Sequence, residues 1–214
     1  MKRLAILTLV ICAQATAAPL NDELRQSESD RELTALTRSV ETFNRVDLLD
    51  RGLNSWPVRR QLLESASSFV FVSVPFWNYD QAGREFVELL GSRKRALRDL
   101  ELKVIQGWTS PWLSKGGRKV KGEIKDIADQ YLLWNSPLWQ RRFSFNLFRG
   151  HVHDKFLIVD GSKMVLGGMN ISNEDASGGA AMNGTHDTDL VIQGPAVHQA
   201  TEIFLKVNQL GHHL

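Results

Sequence analysis

From His151 to Val159 the chain reads HVHDKFLIV, turns at Asp160-Gly161, and resumes as the apolar run Met164 to Leu166. The first segment ends in Phe156-Leu157-Ile158-Val159 and predicts a strand, with Met164 to Leu166 as its hairpin partner. Ser68 to Val74 (SFVFVSV) is another β-branched and aromatic run, and Leu102 to Ile105 and Thr188 to Gln193 predict two more strands. Helical patterns lie between them. Pro57 is expected to open one through Leu62 and Leu63, and Asp80 to cap another through Phe86, Leu89 and Leu90. Gly194-Pro195 starts a third, through Val197, Ala200, Phe204 and Val207. Strands interleaved with helices define an α/β sandwich.

The start of the chain has another character. Lys2 and Arg3 precede a mostly apolar run from Leu4 to Ala13, and Ala15-Thr16-Ala17 offers an A-x-A cleavage site. The run is shorter than the roughly 20 residues that span a bilayer. Residues 1–17 are therefore read as a signal peptide, the other reading being an uncleaved anchor. The expected location is outside the cytoplasm, periplasmic or secreted. Residues 18–45 are polar, with Leu33, Leu36, Val40 and Phe43 at the spacing of one amphipathic helix, and the domain proper is placed at 46–214.

Cleavage changes the charge argument. Without Lys2 and Arg3, 24 basic residues face 24 acidic ones, so the apparent basicity is no argument for a nucleic-acid partner. Cys12, the one cysteine, goes with the signal. A mature chain without cysteine has no disulfide, no thiolate nucleophile and no zinc-thiolate site.

The chemistry gathers on the hairpin. His153 and Lys155 are two apart on the predicted strand, so both side chains leave the same face. An imidazole beside an ammonium suits a phosphodiester: lysine offsets phosphoryl charge, and neutral histidine attacks phosphorus or accepts a proton. Asp160 closes the strand. Gly167 and Gly168 let the backbone approach a ligand closely, and Asn170 then presents an amide to a phosphate oxygen. Singly, each of these residues is more often structural or solvated. Together they stand at fixed offsets within eighteen residues, counted from His153 to Asn170. His151 adds an imidazole on the same face, either a second proton carrier or a packing residue.

The stretch HDKFLIVDGSKMVLGGMNISNE, His153 to Glu174, resembles the HKD motif of the phospholipase D superfamily. HDTDLVIQGPAV, His186 to Val197, is similar to the segment that follows the motif in bacterial cardiolipin synthase-like members, and residues 62–90 are similar to their first strand and helix. The resemblance implies a phospholipase D-like sandwich, a mixed β-sheet flanked by helices, forming one of the two halves of the usual pseudo-dimer. It implies a two-step reaction in which His153 forms a phosphohistidine while a second histidine protonates the leaving alcohol. Lys155 and Asn170 would hold phosphoryl oxygens together with the backbone of Gly167 and Gly168, and Glu174 would orient a histidine. Asp160 would support the loop or the lysine. No metal and no cofactor enter this scheme. Many members carry Ser or Thr at the position of Gly168, and an aromatic residue at that of Asn208.

Such a site uses two HKD motifs, and this chain has one. His186 precedes Asp187-Thr188, and His198, His212 and His213 lack a lysine at the right offset. The second histidine is expected from a homodimer across a twofold axis or from a second HKD-bearing half; a relative that has lost catalysis is the remaining reading. The expected substrate is a phospholipid. Trp108, Trp112, Trp134 and Trp139, with Lys115, Arg118, Lys119 and Lys121 between the pairs, suit a membrane surface, although core packing accounts for tryptophans equally well. The competing reading is an exported endonuclease acting on nucleic acid, with basic clusters such as Arg141-Arg142 lining a groove.

Overall fold

The structure is a computed structural model that describes residues 43–134, 152–178 and 186–213. The signal peptide, most of the 18–45 segment, Trp139, Arg141-Arg142 and His151 lie outside the described residues.

Seven strands form one mixed sheet: β1 (Arg45–Leu49), β2 (Phe69–Val74), β3 (Glu101–Gly107), β4 (Gln130–Trp134), β5 (Phe156–Val159), β6 (Lys163–Gly167) and β7 (Asp189–Gln193). Their order is β1-β7-β6-β5-β2-β3-β4. β2, β3 and β4 run parallel, and the other neighbours pair antiparallel. The helices are α1 (Gly52–Ser65), α2 (Gln81–Ala96), α3 (Ser110–Leu113), α4 (Gly117–Ile127), α5 (Asn173–Ala176) and α6 (Pro195–His213).

Strand alternation sorts the apolar side chains onto two faces. Val70, Val72, Val74, Val104, Leu157 and Val159 meet Leu62 and Leu63 of α1, Phe86 and Leu90 of α2, and Val120 and Ile124 of α4. Phe71, Ile105, Ile158 and Met164 pack on the opposite face against Val197 and Phe204 of α6. Phe71 stacks on Phe204 with ring centroids 4.8 Å apart. The result is the three-layer α/β sandwich that the sequence predicts.

Some expectations shift. Pro57 does not open α1; the helix begins five residues earlier, where Asn54 and Ser55 donate to the Arg51 carbonyl. Pro57 leaves the Leu53 carbonyl without its helical donor, a modest loss because Leu53 is exposed to water. Of the predicted strand the described part contracts to β5, with residues 152–155 outside it. Arg45, placed in the helical segment, instead begins β1. The Asp80 cap is as expected, its carboxylate accepting from the Gly83 N–H at 3.0 Å.

Candidate active site

β5 and β2 are antiparallel, so the residues entering β5 lie at the end of the sheet where parallel β2, β3 and β4 finish. Open α/β sheets bind ligands at that edge. His153 and Lys155 stand there on the same side of the chain. His153 is exposed, whereas Lys155 is only 6% exposed. The Lys155 ammonium is 3.2 Å from the His153 carbonyl oxygen and 3.4 Å from its imidazole nitrogens. Burial pushes the Lys155 pKa below its ordinary 10.5, and the carboxylates of Asp187, Asp175, Asp154 and Asp189 oppose that shift. The lysine is thus a desolvated cation facing an accessible imidazole.

The Gly167–Asn170 turn runs beside them. The Gly167 N–H donates to the Lys155 carbonyl at 3.1 Å and the Gly168 N–H to the Thr188 carbonyl at 3.0 Å. A Cβ at Gly167 would lie 2.2 Å from Asp189 Oδ1 and 2.4 Å from the Thr188 carbonyl oxygen; one at Gly168 would lie 2.8 Å from Asp187 Oδ1. Closeness to the 187–189 segment explains both glycines, including the one where superfamily members often carry a hydroxyl. Asn170 follows, its side-chain Oδ1 buried without a hydrogen-bond partner.

Beneath the turn lies a polar network that sequence reading misses. Asp189 Oδ2 accepts from Ser55 Oγ and from Arg59 Nε and Nη2, and Nη2 also reaches the Met169 carbonyl at 3.4 Å. Ser55, Arg59 and Asp189 are all buried. The available signal was Asp189 itself, an inward carboxylate that opens an otherwise apolar strand and therefore needs a buried donor.

Asp160 stands at the far end of β5 from Lys155. φ is positive there, 52°, in a turn closed by the Ser162 N–H onto the Val159 carbonyl at 3.2 Å. Its carboxylate accepts from the N–H groups of Ser67, Ser68 and Phe69 and from the Ser67 hydroxyl. It therefore staples the β5–β6 turn to the start of β2. Glu174 is exposed on α5, lining a cleft with Trp56, Gln81 and Glu85. Asp175 is the acid of that helix that the fold buries. The structure thus gathers His153, Lys155, Gly167, Gly168 and Asn170, adds Asp187 and Asp189, holds Asp160 at the far end of β5, and leaves Glu174 exposed on α5. Among the described residues no cluster of His, Cys, Asp or Glu has the arrangement of a metal site.

These features make an α/β sandwich with the His153–Lys155 pair at the sheet edge. No family model matches the chain. Over 100 residues it is 33% identical to Phospholipase D B of Dictyostelium discoideum, an alignment covering 42% of this chain and 8% of that protein. NucT from Helicobacter pylori superposes with a TM-score of 0.59 at 14% identity, covering 77% of this chain and 96% of NucT. Nuc from Salmonella typhimurium, described as a phospholipase D family member, gives 0.57 at 14% identity, covering 80% and 95%. Phosphatidylserine synthase from Haemophilus influenzae gives 0.57 at 16% identity, covering 75% of this chain and 36% of the synthase. The fold is that of the phospholipase D superfamily, as the resemblance of residues 153–174 implied.

Proposed function

We propose that the chain is one half of a phosphodiester-processing site that acts on phospholipids through a phosphohistidine. The observation that carries the reading is the buried Lys155 ammonium set against the accessible imidazole of His153, beside the glycine turn. An imidazole nitrogen of His153 forms a P–N bond as the bond to the leaving alcohol breaks, and a second histidine gives that oxygen its proton. The same histidine then takes a proton from water or an acceptor alcohol, whose oxygen displaces His153 from phosphorus. Lys155, Asn170 and the N–H groups of the turn hold the phosphoryl oxygens as charge builds. Asp187, against Gly168 and first among the carboxylates acting on Lys155, supports the lysine's charge, and Glu174 orients a histidine. The scheme draws on no metal or cofactor.

The second histidine comes from another copy across a twofold axis. The near-complete coverage of NucT and Nuc supports a one-sheet chain of this kind. The lipid reading is supported by the likeness of residues 186–197 to cardiolipin synthase-like proteins and by the match to Phospholipase D B. Residues 1–17 direct export; among the described residues no helix is long and apolar enough to cross a membrane.

Purified mature protein is to be assayed on phosphatidylglycerol vesicles and on plasmid DNA, with light scattering for its mass. The expected outcome is a dimer that releases or exchanges headgroups. Plasmid nicking without lipid turnover would establish the endonuclease reading instead, and no turnover of either points to a non-catalytic phosphate- or membrane-binding relative. A strict monomer removes the homodimer.

A further inference from the structure

The residues between Trp108 and Lys121 contain Lys115, Arg118, Lys119 and Lys121, with no Asp or Glu between Glu101 and Glu123. Within this basic stretch α3 presents its two large apolar side chains to water: Trp112 is 65% exposed and Leu113 71%. Phe76, at the end of β2, is exposed beside the same edge of the sheet. The cations are held at the rim by aromatic rings, Arg118 lying 5.9 Å from the centroid of Trp112 and Lys119 4.4 Å from that of Tyr79.

One chain segment ties this corner to the active site. Asn78 donates to the Ile171 carbonyl at 2.9 Å, and Trp77 bridges Ile171 as in a parallel ladder, directly after Asn170. On its other side the Trp77 N–H donates to Ser110 Oγ at 3.1 Å and the Tyr79 N–H to the Lys115 carbonyl at 2.6 Å. The segment 77–79 thus joins the corner directly to the turn that carries Asn170.

We propose that the α3 corner is a membrane-docking element: Trp112 and Leu113 enter the headgroup region of an anionic lipid surface while Lys115, Arg118 and Lys119 meet its phosphates. This rests on the lipid reading of the site and adds to it the surface from which substrate is taken. Adjacent exposed Trp and Leu gain free energy only where they leave water, and flanking cations match an anionic leaflet. Nucleic acid would use the cations and the indole but has no apolar phase for Leu113, so lipid is the partner the corner fits better.

The double variant Trp112→Ser/Leu113→Ser tests this. Both side chains face water, so folding, checked by circular dichroism and Tm, is expected to be unchanged. Co-sedimentation with phosphatidylglycerol vesicles is expected to weaken about tenfold or more. Turnover of vesicle lipid falls with it, while turnover of soluble bis(p-nitrophenyl) phosphate stays at the wild-type value. Undiminished vesicle binding overturns the proposal, as does weakened oligonucleotide binding without loss on vesicles. A dimer that becomes monomeric overturns it too, by making the corner an interface between copies. If wild type turns over the soluble diester but not lipid while the variant still loses vesicle binding, the docking assignment stands and the lipid-substrate reading fails.

Discussion

Arg59 donates from both Nε and Nη2 to a single carboxylate oxygen of Asp189, at 3.0 and 2.8 Å, with both side chains shut away from water. The pair joins α1 to β7 across 130 positions of sequence and, through the Met169 carbonyl, braces the turn that presents Asn170. A buried pair gives little net stability over a well-packed apolar one, but breaking it strands a charge.

Arg59→Met is therefore expected to cost about 3–5 kcal/mol in urea unfolding, because Asp189 stays buried without its cation. Arg59→Met/Asp189→Leu removes both charges and should recover much of that loss. Equal stabilities for the single and double variants would show that the pair is not what sets the cost.

Asp160 makes a pH-dependent contribution. Burial alone would raise its pKa, but donors from Ser68, Phe69 and Ser67 outweigh that and hold it below 3.8. A carboxyl lowered on folding stabilises the native state above its unfolded pKa, and that stability is lost as pH falls through the lowered folded value. Asp160→Asn should cost about 1–3 kcal/mol at neutral pH. The gap from wild type should narrow on acidification below pH 4. A gap that does not change with pH would mean that the charge is not the stabilising feature.

Lys155 is expected to set the alkaline limb of the proposed activity. Its lowered pKa means that the ammonium is lost below pH 10.5, so kcat/KM for a soluble phosphodiester should fall before an ordinary lysine would titrate. Asp187 is first among the carboxylates that raise this pKa, so Asp187→Asn should move the limb to lower pH still. A limb unmoved by that change would dissociate Asp187 from the lysine.

The two glycines differ in what blocks them. At Gly167 a Cβ meets the Thr188 backbone as well as Asp189, whereas at Gly168 it meets the side chain of Asp187. Gly167→Ala should therefore lower Tm and activity together. Gly168→Ala should keep most of the stability and reduce kcat by displacing Asp187. Thermal unfolding beside steady-state kinetics separates the two.

The hairpin that carries the candidate site was legible as structure because local chemistry fixes it. Phe156 to Val159 make a strand and Asp160-Gly161 a turn, and the fixed offsets from His153 to Asn170 do the rest. Asp80 announced its helix for the same reason. β1 and β4 escaped notice because they are the two outer strands of the sheet, and RVDLL and QYLLW hold a single β-branched residue between them. Arg59 was invisible because its partner is distant in sequence, and an arginine on an amphipathic helix normally reads as solvated. Glu174 and Asp175 are neighbours whose roles depend on which way one short helix turns, and no sequence period decides that.

His153 is tested most directly by trapping the covalent intermediate. Mature protein turning over bis(p-nitrophenyl) phosphate is quenched at alkaline pH, which preserves a P–N bond, and its peptides are mapped by mass spectrometry. The adduct is expected on His153, and His153→Ala should lose both the adduct and turnover, by about 10³-fold or more. An adduct on another residue, or full turnover by His153→Ala, would contradict His153 as the nucleophile.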